Sequence, residues 1–194
     1  MGEPGEPVAA TVTELERIVP GGRDIESIIM VAFEVHGSRL KGFALAAVRD
    51  ADAADDLVAE TFLRLVSEAR TRELPDNIGA WLFRVCGNLI TNRGRRRAIA
   101  QRWRWILVNR DTGRSPEDTV IGRERDEAIT TALAYLPVDA RVALLMAAQG
   151  CNSAEIGLAI GRSALATRAY ICRGRARLRE LLGDRSDANT ESGR

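Results

Sequence analysis

The residues best suited to bind another molecule are arginines, which are concentrated in two segments that contain no carboxylate. One segment spans residues 77–110 and the other spans 156–179. A guanidinium fork matches the oxygens of a phosphate and the edge of a guanine, so such segments are typical of nucleic-acid-binding surfaces. The whole chain carries 28 basic and 27 acidic residues, so its charge is segregated rather than in excess. The pattern predicts two separate faces that bind nucleic acid.

Carboxylates form a third candidate surface, on a helix expected to begin near Asp52. Asp52, Asp56 and Glu60 recur at four-residue intervals, and Leu63 comes next on the same side. Residues four apart share one helix face, so an acidic row would end at an exposed apolar side chain. Such a row suits docking to a basic protein, but an ordinary solvated helix face has the same pattern. The spacing alone leaves both interpretations open.

Few residues could support catalysis or bind a metal. His36 is the only histidine, and Cys86, Cys151 and Cys172 are widely separated, so neither a zinc site nor a disulfide framework is indicated. No glycine-rich loop carries the lysine of a phosphate-binding loop. We therefore expect no cofactor, no metal and no enzymatic activity.

Neither a membrane span nor a secretion signal is indicated. No run approaches about 18 consecutive apolar residues, and the N-terminal segment is acidic and contains proline. We expect no membrane insertion and a cytoplasmic location.

Helices must position the charged residues, because apolar residues recur mainly at three- and four-residue spacing and convincing strand-like alternation is absent. Asp24 is predicted to cap a helix to about His36, and a second helix is predicted from Ser38 to Val48. A third begins near Asp52 and buries the side opposite to the acidic row. The sequence therefore predicts an all-α fold.

A fourth helix is expected to begin at an Asn77 cap. On one of its faces Arg84, Asn88 and Asn92 lie one turn apart. Arginine and asparagine side chains can hydrogen-bond to base edges, although a helix face that is merely solvated can have the same pattern of residues. After an RGRRR cluster, a tryptophan pair at 103 and 105 could stack on bases, lie on a membrane surface or, as the default, pack on the core.

The second half of the chain has helix-turn-helix spacing. Helices are expected at 123–136 and 137–148, and Ser153 is expected to cap a short helix that Gly161 ends. Ser163 would then cap the arginine-rich helix. A short helix, a glycine break and a second helix are typical of a DNA-binding helix-turn-helix.

These patterns predict two helical domains joined by a flexible linker. The expected boundaries are an N-terminal extension at 1–23, a first domain at 24–98, a linker at 99–122, a second domain at 123–182 and a disordered tail at 183–194.

Two segments then resemble one family in the same order. ADAADDLVAETFLRLV followed by PDNIGAWLFRVCGNLITNRGRRR looks like region 2 of bacterial RNA polymerase sigma factors of the extracytoplasmic-function (ECF) type. LPVDARVALLMAAQGCNSAEIGLAIGRSALATRAYICRGRARLREL resembles region 4 of the same family. The resemblance covers roughly residues 24–182, with a linker of suitable size between the two regions.

The resemblance implies a role for each charged surface. The acidic helix would dock on the clamp helices of the polymerase β′ subunit through Asp52, Asp55, Asp56, Glu60 and Leu63. The single-stranded minus-ten promoter element would contact Arg72, Asn77, Arg84, Asn88, Asn92, Arg95, Arg96 and Arg97. The duplex minus-thirty-five element would contact Arg162, Ser163, Ala166, Arg168, Ala169, Cys172 and Arg173.

The minus-thirty-five segment departs from the pattern of the family. Where many relatives read V-G-T-V-K-S-R, this chain reads A-L-A-T-R-A-Y, so hydroxyl groups are lost at Ala166 and Ala169 while Arg168 keeps the charge. Fewer polar groups on this face imply an unusual promoter preference and a greater dependence on phosphate contacts.

The resemblance implies an ECF sigma factor that recruits core RNA polymerase to promoter DNA and performs no chemistry itself. Its partners would be the β′ clamp helices, the β flap, promoter DNA and an anti-sigma factor. The first alternative is a stand-alone helix-turn-helix regulator, which would leave the acidic row without a role. The second is a helical protein-interaction adaptor whose region 4 has decayed.

Overall fold

The computed structural model describes residues 25–71, 74–107 and 124–191, with side chains described for 25–71, 74–97 and 128–183. Regular structure in these residues is helical throughout, which confirms the predicted all-α fold. The helices are α1 Ile25–Val48, α2 Ala51–Thr71, α3 Ile78–Leu107, α4 Glu124–Ala134, α5 Val138–Ala148, α6 Ser153–Ile160 and α7 Ala164–Glu191. The predicted extension, Arg72 and residues 108–122 of the predicted linker lie outside the described residues.

Helix α1 is continuous where the sequence predicts two helices. It passes through Gly37 and Ser38 because its buried stripe does not stop there: Ala32, Leu40 and Phe43 are at most 3% exposed. Burial of a large apolar side chain contributes about 1.5–3 kcal/mol, which outweighs the roughly 1 kcal/mol cost of a glycine inside a helix. The predicted break after His36 is therefore wrong.

One apolar core joins the two halves of the chain. Buried side chains of α1, α2 and α3, among them Leu40, Leu57 and Phe83, form a single cluster with Met146 of α5 and Ile156 of α6. Helix α3 lies against both α5 and α6. The two predicted domains are thus in direct contact in this structure, which the sequence patterns did not anticipate.

Arg141 of α5 connects helices from both halves. It is only 9% exposed, and its guanidinium donates hydrogen bonds to the carbonyl oxygens of Leu133, Ala134, Leu136 and Ala47. The last carbonyls of a helix lack intrahelical partners and carry partial negative charge, so a buried cation satisfies them. Ala47 lies in the last turn of α1, and the other three carbonyls lie at the end of α4 and just beyond it. The sequence contained a signal for this role, because Arg141 directly precedes the apolar run VALLM.

Two helices extend beyond the positions that the sequence predicts. Helix α3 continues to Leu107, into the segment predicted as linker, and α7 continues to Glu191, into the segment predicted as a disordered tail. Extending an existing helix adds a hydrogen bond for each residue without a new nucleation step. Polar residues that follow a stable helix can therefore also be helical. Within the described residues, no helix is both long and apolar enough to cross a membrane.

His36 lies in the core as an unpaired polar group. Its side chain is 1% exposed, and among the described residues neither ring nitrogen has a hydrogen-bond partner. Burial lowers the pKa of His36 from its ordinary 6.5, and the charge of Arg39 lowers it further. The imidazole is therefore held in its neutral form in the folded protein.

Because His36 is neutral in the folded protein, we expect the free energy of unfolding to decrease in mild acid. As pH falls below about 6.5, the unfolded chain takes up the proton before the folded protein does, so the free energy of unfolding decreases with falling pH, by at most about 1.4 kcal/mol per pH unit. Urea unfolding of the wild type between pH 7.5 and 5.5 should show this slope. Because the chain has no other histidine, the His36→Leu variant should lose it; an equal slope in both proteins would contradict the assignment.

Candidate nucleic-acid and polymerase interfaces

The acidic row lies along the solvent side of α2. The helix begins after Asp50, whose Oδ1 accepts a hydrogen bond from the backbone N of Ala53 at 2.9 Å. Burial of Leu57 and Leu65 turns the opposite side to solvent. All four predicted carboxylates are exposed, and the predicted leucine is 67% exposed. The residues of the predicted docking surface are thus all exposed: Asp52, Asp55, Asp56, Glu60 and Leu63.

Two of these carboxylates are paired within the protein. Asp55 lies 2.8 Å from Lys41 Nζ, and Glu60 lies 2.7 Å from a guanidinium nitrogen of Arg64. Both pairs are about half exposed, and exposed pairs contribute only about 0–1 kcal/mol, so a basic partner can compete for these carboxylates at little cost. Leu63 is one of the most exposed large apolar side chains among the described residues. The arrangement offers a charged surface with an apolar anchor.

Helix α3 carries the predicted minus-ten residues on a partly open face. Asn77 caps the helix, with its Oδ1 accepting a hydrogen bond from Ala80 N at 2.8 Å, which confirms the predicted cap. Arg84 and Asn88 are half-buried, whereas Asn92 is exposed and its side-chain amide donates to Asn88 Oδ1. These three side chains follow one another along one face of α3, as predicted.

The arginine cluster after this face is not uniformly free. Arg96 and Arg97 are exposed, but Arg95 donates a 2.7 Å hydrogen bond to the carbonyl oxygen of Ile160 and lies 3.5 Å from an Asp139 carboxylate oxygen. One predicted phosphate contact is therefore engaged with α5 and α6. The side chains of the tryptophans at 103 and 105, for which packing on the core is the default expectation, lie outside the described residues.

Helix α6, the turn that follows it and the start of α7 form the predicted helix-turn-helix. Asn152, not Ser153 as predicted, is the cap of α6. Its side chain accepts hydrogen bonds from the backbone N of Ala154 and Glu155, and the Glu155 carboxylate accepts one from Asn152 N. An asparagine that pairs with a glutamate three residues later satisfies two helix-end donors at once, which a serine one position later cannot do here.

The turn between α6 and α7 depends on two glycines. Gly161 adopts a left-handed φ of 71°, a conformation that costs glycine little. A Cβ at Gly157 would lie 2.5 Å from the carbonyl oxygen of Arg162, so the backbones approach too closely for any side chain. Ser163 then accepts a 3.3 Å hydrogen bond from Ala166 N, which confirms the predicted cap of α7.

The predicted minus-thirty-five residues are all exposed at the start of α7 or in the turn before it. The Arg162 guanidinium lies 4.3 Å from the centroid of the Tyr170 ring, a cation–π contact that holds it beside the helix. The exposed residues further along are Ala166, Arg168, Ala169, Cys172 and Arg173. This face presents few hydrogen-bonding groups apart from its arginines.

A cleft of about 590 Å³ lies between the start of α6 and the part of α7 that runs from Arg168 to Arg179. Three arginines line it, Arg168, Arg175 and Arg179, together with Asn152 and Ser153 at the start of α6. A helix N-terminus and convergent guanidinium groups together favour an anion. Arg175 and Arg179 are not among the residues predicted for this site from the sequence. Arg175 and Arg179 follow Arg168 by 7 and 11 residues, and this helical spacing indicates that the three arginines share one face of α7.

The cysteines provide no reactive thiol in the core. Burial raises the pKa of Cys86 to about 12, partly offset by a hydrogen bond with Thr61. Burial and the Glu155 carboxylate raise the pKa of Cys151 to about 12 as well. Cys172 is exposed on α7. Within the described part of the chain, no group of three or more potential metal ligands is present.

Comparison with known proteins defines the class of this chain. Residues 32–99 match the family model for Sigma-70 region 2. The chain is 32% identical over 152 residues to ECF RNA polymerase sigma factor EcfG of Rhodopseudomonas palustris (strain TIE-1), covering 74% of this chain and 78% of that protein. It is 29% identical over 173 residues to RNA polymerase sigma factor CarQ of Myxococcus xanthus, covering 88% and 96%.

A solved structure shows the same fold. The sigma factor RpoE in complex with the anti-sigma factor NepR from Bartonella quintana matches with a TM-score of 0.59 and 23% identity, covering 84% of this chain and 98% of that one. The chain therefore belongs to the family of ECF RNA polymerase sigma factors. Proteins of this family are transcription initiation factors and not enzymes.

Proposed function

We propose that this protein binds core RNA polymerase and directs it to promoters that it reads at two separate elements. The observation that carries the proposal is the placement of one acidic and two basic surfaces on three different helices. Helix α2 presents carboxylates, whereas α3 and α7 present arginines. Membership of the ECF sigma factor family supports this division of roles.

The α2 surface is the proposed docking site for the β′ clamp helices. Its four carboxylates and Leu63 combine long-range attraction with an apolar contact. Opposite charges speed association, while burial of an exposed leucine stabilises the bound complex. The β flap is a second proposed polymerase contact, with region 4.

The α3 surface is the proposed reader of the single-stranded minus-ten element. Arg84, Asn88 and Asn92 offer donors and acceptors to unpaired bases. The exposed Arg96 and Arg97 are placed one to two turns further along, where they can pair with phosphates. Binding energy from flipped bases would favour the opened strands, and no chemical step is required.

The α7 surface is the proposed reader of the minus-thirty-five duplex. The start of α7 would enter the major groove, as in other helix-turn-helix proteins. Because Ala166 and Ala169 offer no hydrogen bonds, the cleft arginines would supply much of the affinity through phosphate contacts. We further propose control by an anti-sigma factor, because the structural neighbour was solved with one. Action on promoters would place the protein in the cytoplasm.

Run-off transcription with purified core polymerase tests the function. Promoters can first be located by mapping transcription starts after overexpression. A sigma factor yields transcripts from those promoters that depend on the added protein. Duplex binding without any polymerase association would instead support a stand-alone helix-turn-helix regulator. Polymerase binding without any DNA contribution would support a protein-interaction adaptor.

Charge reversal on α2 should weaken polymerase binding specifically. The double variant Asp56→Arg, Glu60→Arg is expected to lower affinity for core polymerase, measured without DNA, by about tenfold or more. The control is Glu34→Arg, which reverses an exposed carboxylate on α1, outside both proposed polymerase contacts. Equal affinity of the double variant and the wild type would remove α2 from the interface.

A further inference from the structure

The start of α7 carries an exposed leucine on the surface proposed to enter the duplex. Leu165 is the second residue of α7 and is 78% exposed, the largest exposed fraction among the large apolar side chains of the described residues. Single exposed leucines are ordinary on protein surfaces, so exposure alone assigns no role to this one. Its position does, because the first residues of the second helix of a helix-turn-helix are the ones that reach base edges.

Leu165 begins an apolar stripe along the outer side of α7. Ala169 and Cys172 follow it by four and seven residues and are both exposed, so the three side chains share one helix face. Thr167 and Gly174, on the opposite side of the helix, are both buried. The apolar stripe is therefore turned away from the core of the protein.

Arginines flank this stripe on both sides. At about 100° per residue, Arg168 and Arg175 lie about 60–80° around the helix to one side of Leu165, and Arg173 lies about 80° to the other side. All three arginines are exposed, and no carboxylate occurs in residues 156–179. The major groove of DNA admits an α-helix and is bounded by the phosphates of both strands. The arginines thus match the two walls of the groove, and the apolar stripe matches its floor.

A leucine on the floor of the groove favours one base over the others. Thymine alone presents an apolar group in the major groove, its C5-methyl, whereas the other base edges present only hydrogen-bond donors and acceptors. Leucine would displace water from those polar groups without replacing the lost hydrogen bonds. Contact between Leu165 and a methyl group instead removes two apolar surfaces from water. The free energy of binding therefore favours a thymine beneath Leu165.

We propose that Leu165 determines part of the promoter specificity by contacting a thymine methyl group in the major groove of the minus-thirty-five element. This inference rests on the proposed function, because it requires that α7 binds the duplex. The flanking arginines hold the phosphates, and Leu165 supplies a discrimination between bases that Ala166 and Ala169 cannot supply through hydrogen bonds. Promoters mapped for this protein should accordingly share at least one A·T pair at the positions that the start of α7 covers.

Replacement of thymine by deoxyuridine tests the contact, because it removes the methyl group and leaves the hydrogen-bonding groups and phosphates in place. Each thymine of a mapped minus-thirty-five duplex is replaced in turn, and each duplex is titrated with the full chain. The wild type should lose about fourfold in affinity at one thymine, or at two adjacent ones, which is the change expected from burial of one methyl group. Replacement of the other thymines should have no effect.

Two variants show whether Leu165 makes this contact. Leu165→Ala should bind the thymine and uracil duplexes with nearly equal affinity, because the side chain that distinguishes them is gone. The slope of log affinity against log salt should match that of the wild type, because no phosphate contact is lost. The matched control is Leu158→Ala, which shortens a leucine that is 60% exposed on α6, and it should keep the fourfold difference. Both leucines are exposed, so neither replacement leaves a cavity in the core.

Several outcomes would overturn the proposal. Equal wild-type affinities for all thymine and uracil duplexes would do so, as would a fourfold difference that persists in Leu165→Ala or a mapped element made of G·C pairs alone. Run-off transcription with core polymerase, at limiting amounts of the protein, repeats the comparison on full promoters. Equal transcript yields from thymine and uracil templates would refute the reading by Leu165 alone, whereas absence of transcripts from every template would refute the proposed function.

Discussion

Replacement of Arg141 by methionine should lower the free energy of unfolding by about 3–5 kcal/mol. The variant keeps an apolar stem of similar length but removes the side-chain donor of four carbonyl oxygens, of which, among the described residues, only that of Leu133 also accepts a bond from a backbone N, that of Leu136. Each buried carbonyl that loses its partner costs about 1–3 kcal/mol, although relaxation and water entry recover part of that sum. Urea unfolding at pH 7.5 measures the difference.

A second arginine provides the control for this experiment. Arg39 is exposed and donates to Gln149 Oε1 at 3.0 Å, so Arg39→Met should change stability by no more than about 0.5 kcal/mol. In Arg141→Lys, one ammonium cannot reach all four oxygens, and an intermediate loss is expected. A loss of less than about 1 kcal/mol in Arg141→Met would show that the carbonyls find other partners.

Removal of the three cleft arginines should weaken duplex binding by about 100-fold or more, which corresponds to about 2.7 kcal/mol. The variant is Arg168→Ala, Arg175→Ala, Arg179→Ala. If each guanidinium pairs with one phosphate, the slope of log affinity against log salt should become shallower by about 0.9 per arginine. Titration of a minus-thirty-five duplex at several salt concentrations measures both quantities.

A neighbouring arginine on the same helix separates this site from a general charge effect. Arg177 lies 3.0 Å from Glu180 on a different side of α7 from the cleft. Arg177→Ala removes the same charge as Arg175→Ala does, yet it should leave the salt slope nearly unchanged. Equal slopes in these two single variants would mean that the cleft does not bind phosphate.

The cleft arginines also bear on how this protein selects promoters. Phosphate contacts hold the duplex in position but do not distinguish one sequence from another. With alanines at 166 and 169, the proposed base recognition at the minus-thirty-five element would depend on few side chains. If α3 reads the single-stranded element as proposed, we expect that element to contribute a large share of specificity, because Asn88 and Asn92 can hydrogen-bond to unpaired bases.

Local patterns in the sequence predicted the helices and their charged faces well. The stripe that includes Leu57 and Leu65 required α2 to turn its acidic residues toward solvent. Capping by Asn77 and Ser163 followed from the preference of short polar side chains for helix starts. These features depend on residues within a few positions of one another.

Errors arose where distant residues decided the local structure. Helix α1 continues through Gly37 because Leu40 and Phe43 are buried by other helices, which no short window reveals. The sequence does not indicate whether His36 is buried, and only the fold shows that it is buried and that its ring nitrogens have no partner among the described residues.

By itself the sequence determined the all-helical architecture, the separation of acidic from basic helices and the family. The first two follow from residue types and short spacings, and the family follows from the resemblance of two segments in the same order. Only the tertiary structure decided that Gly87 and Arg95 face α5 and α6, and that Arg141 joins the ends of α1 and α4. The physical reason is that a hydrogen bond between residues 94 positions apart depends on how helices pack, and helix packing is set by the whole core rather than by local propensity.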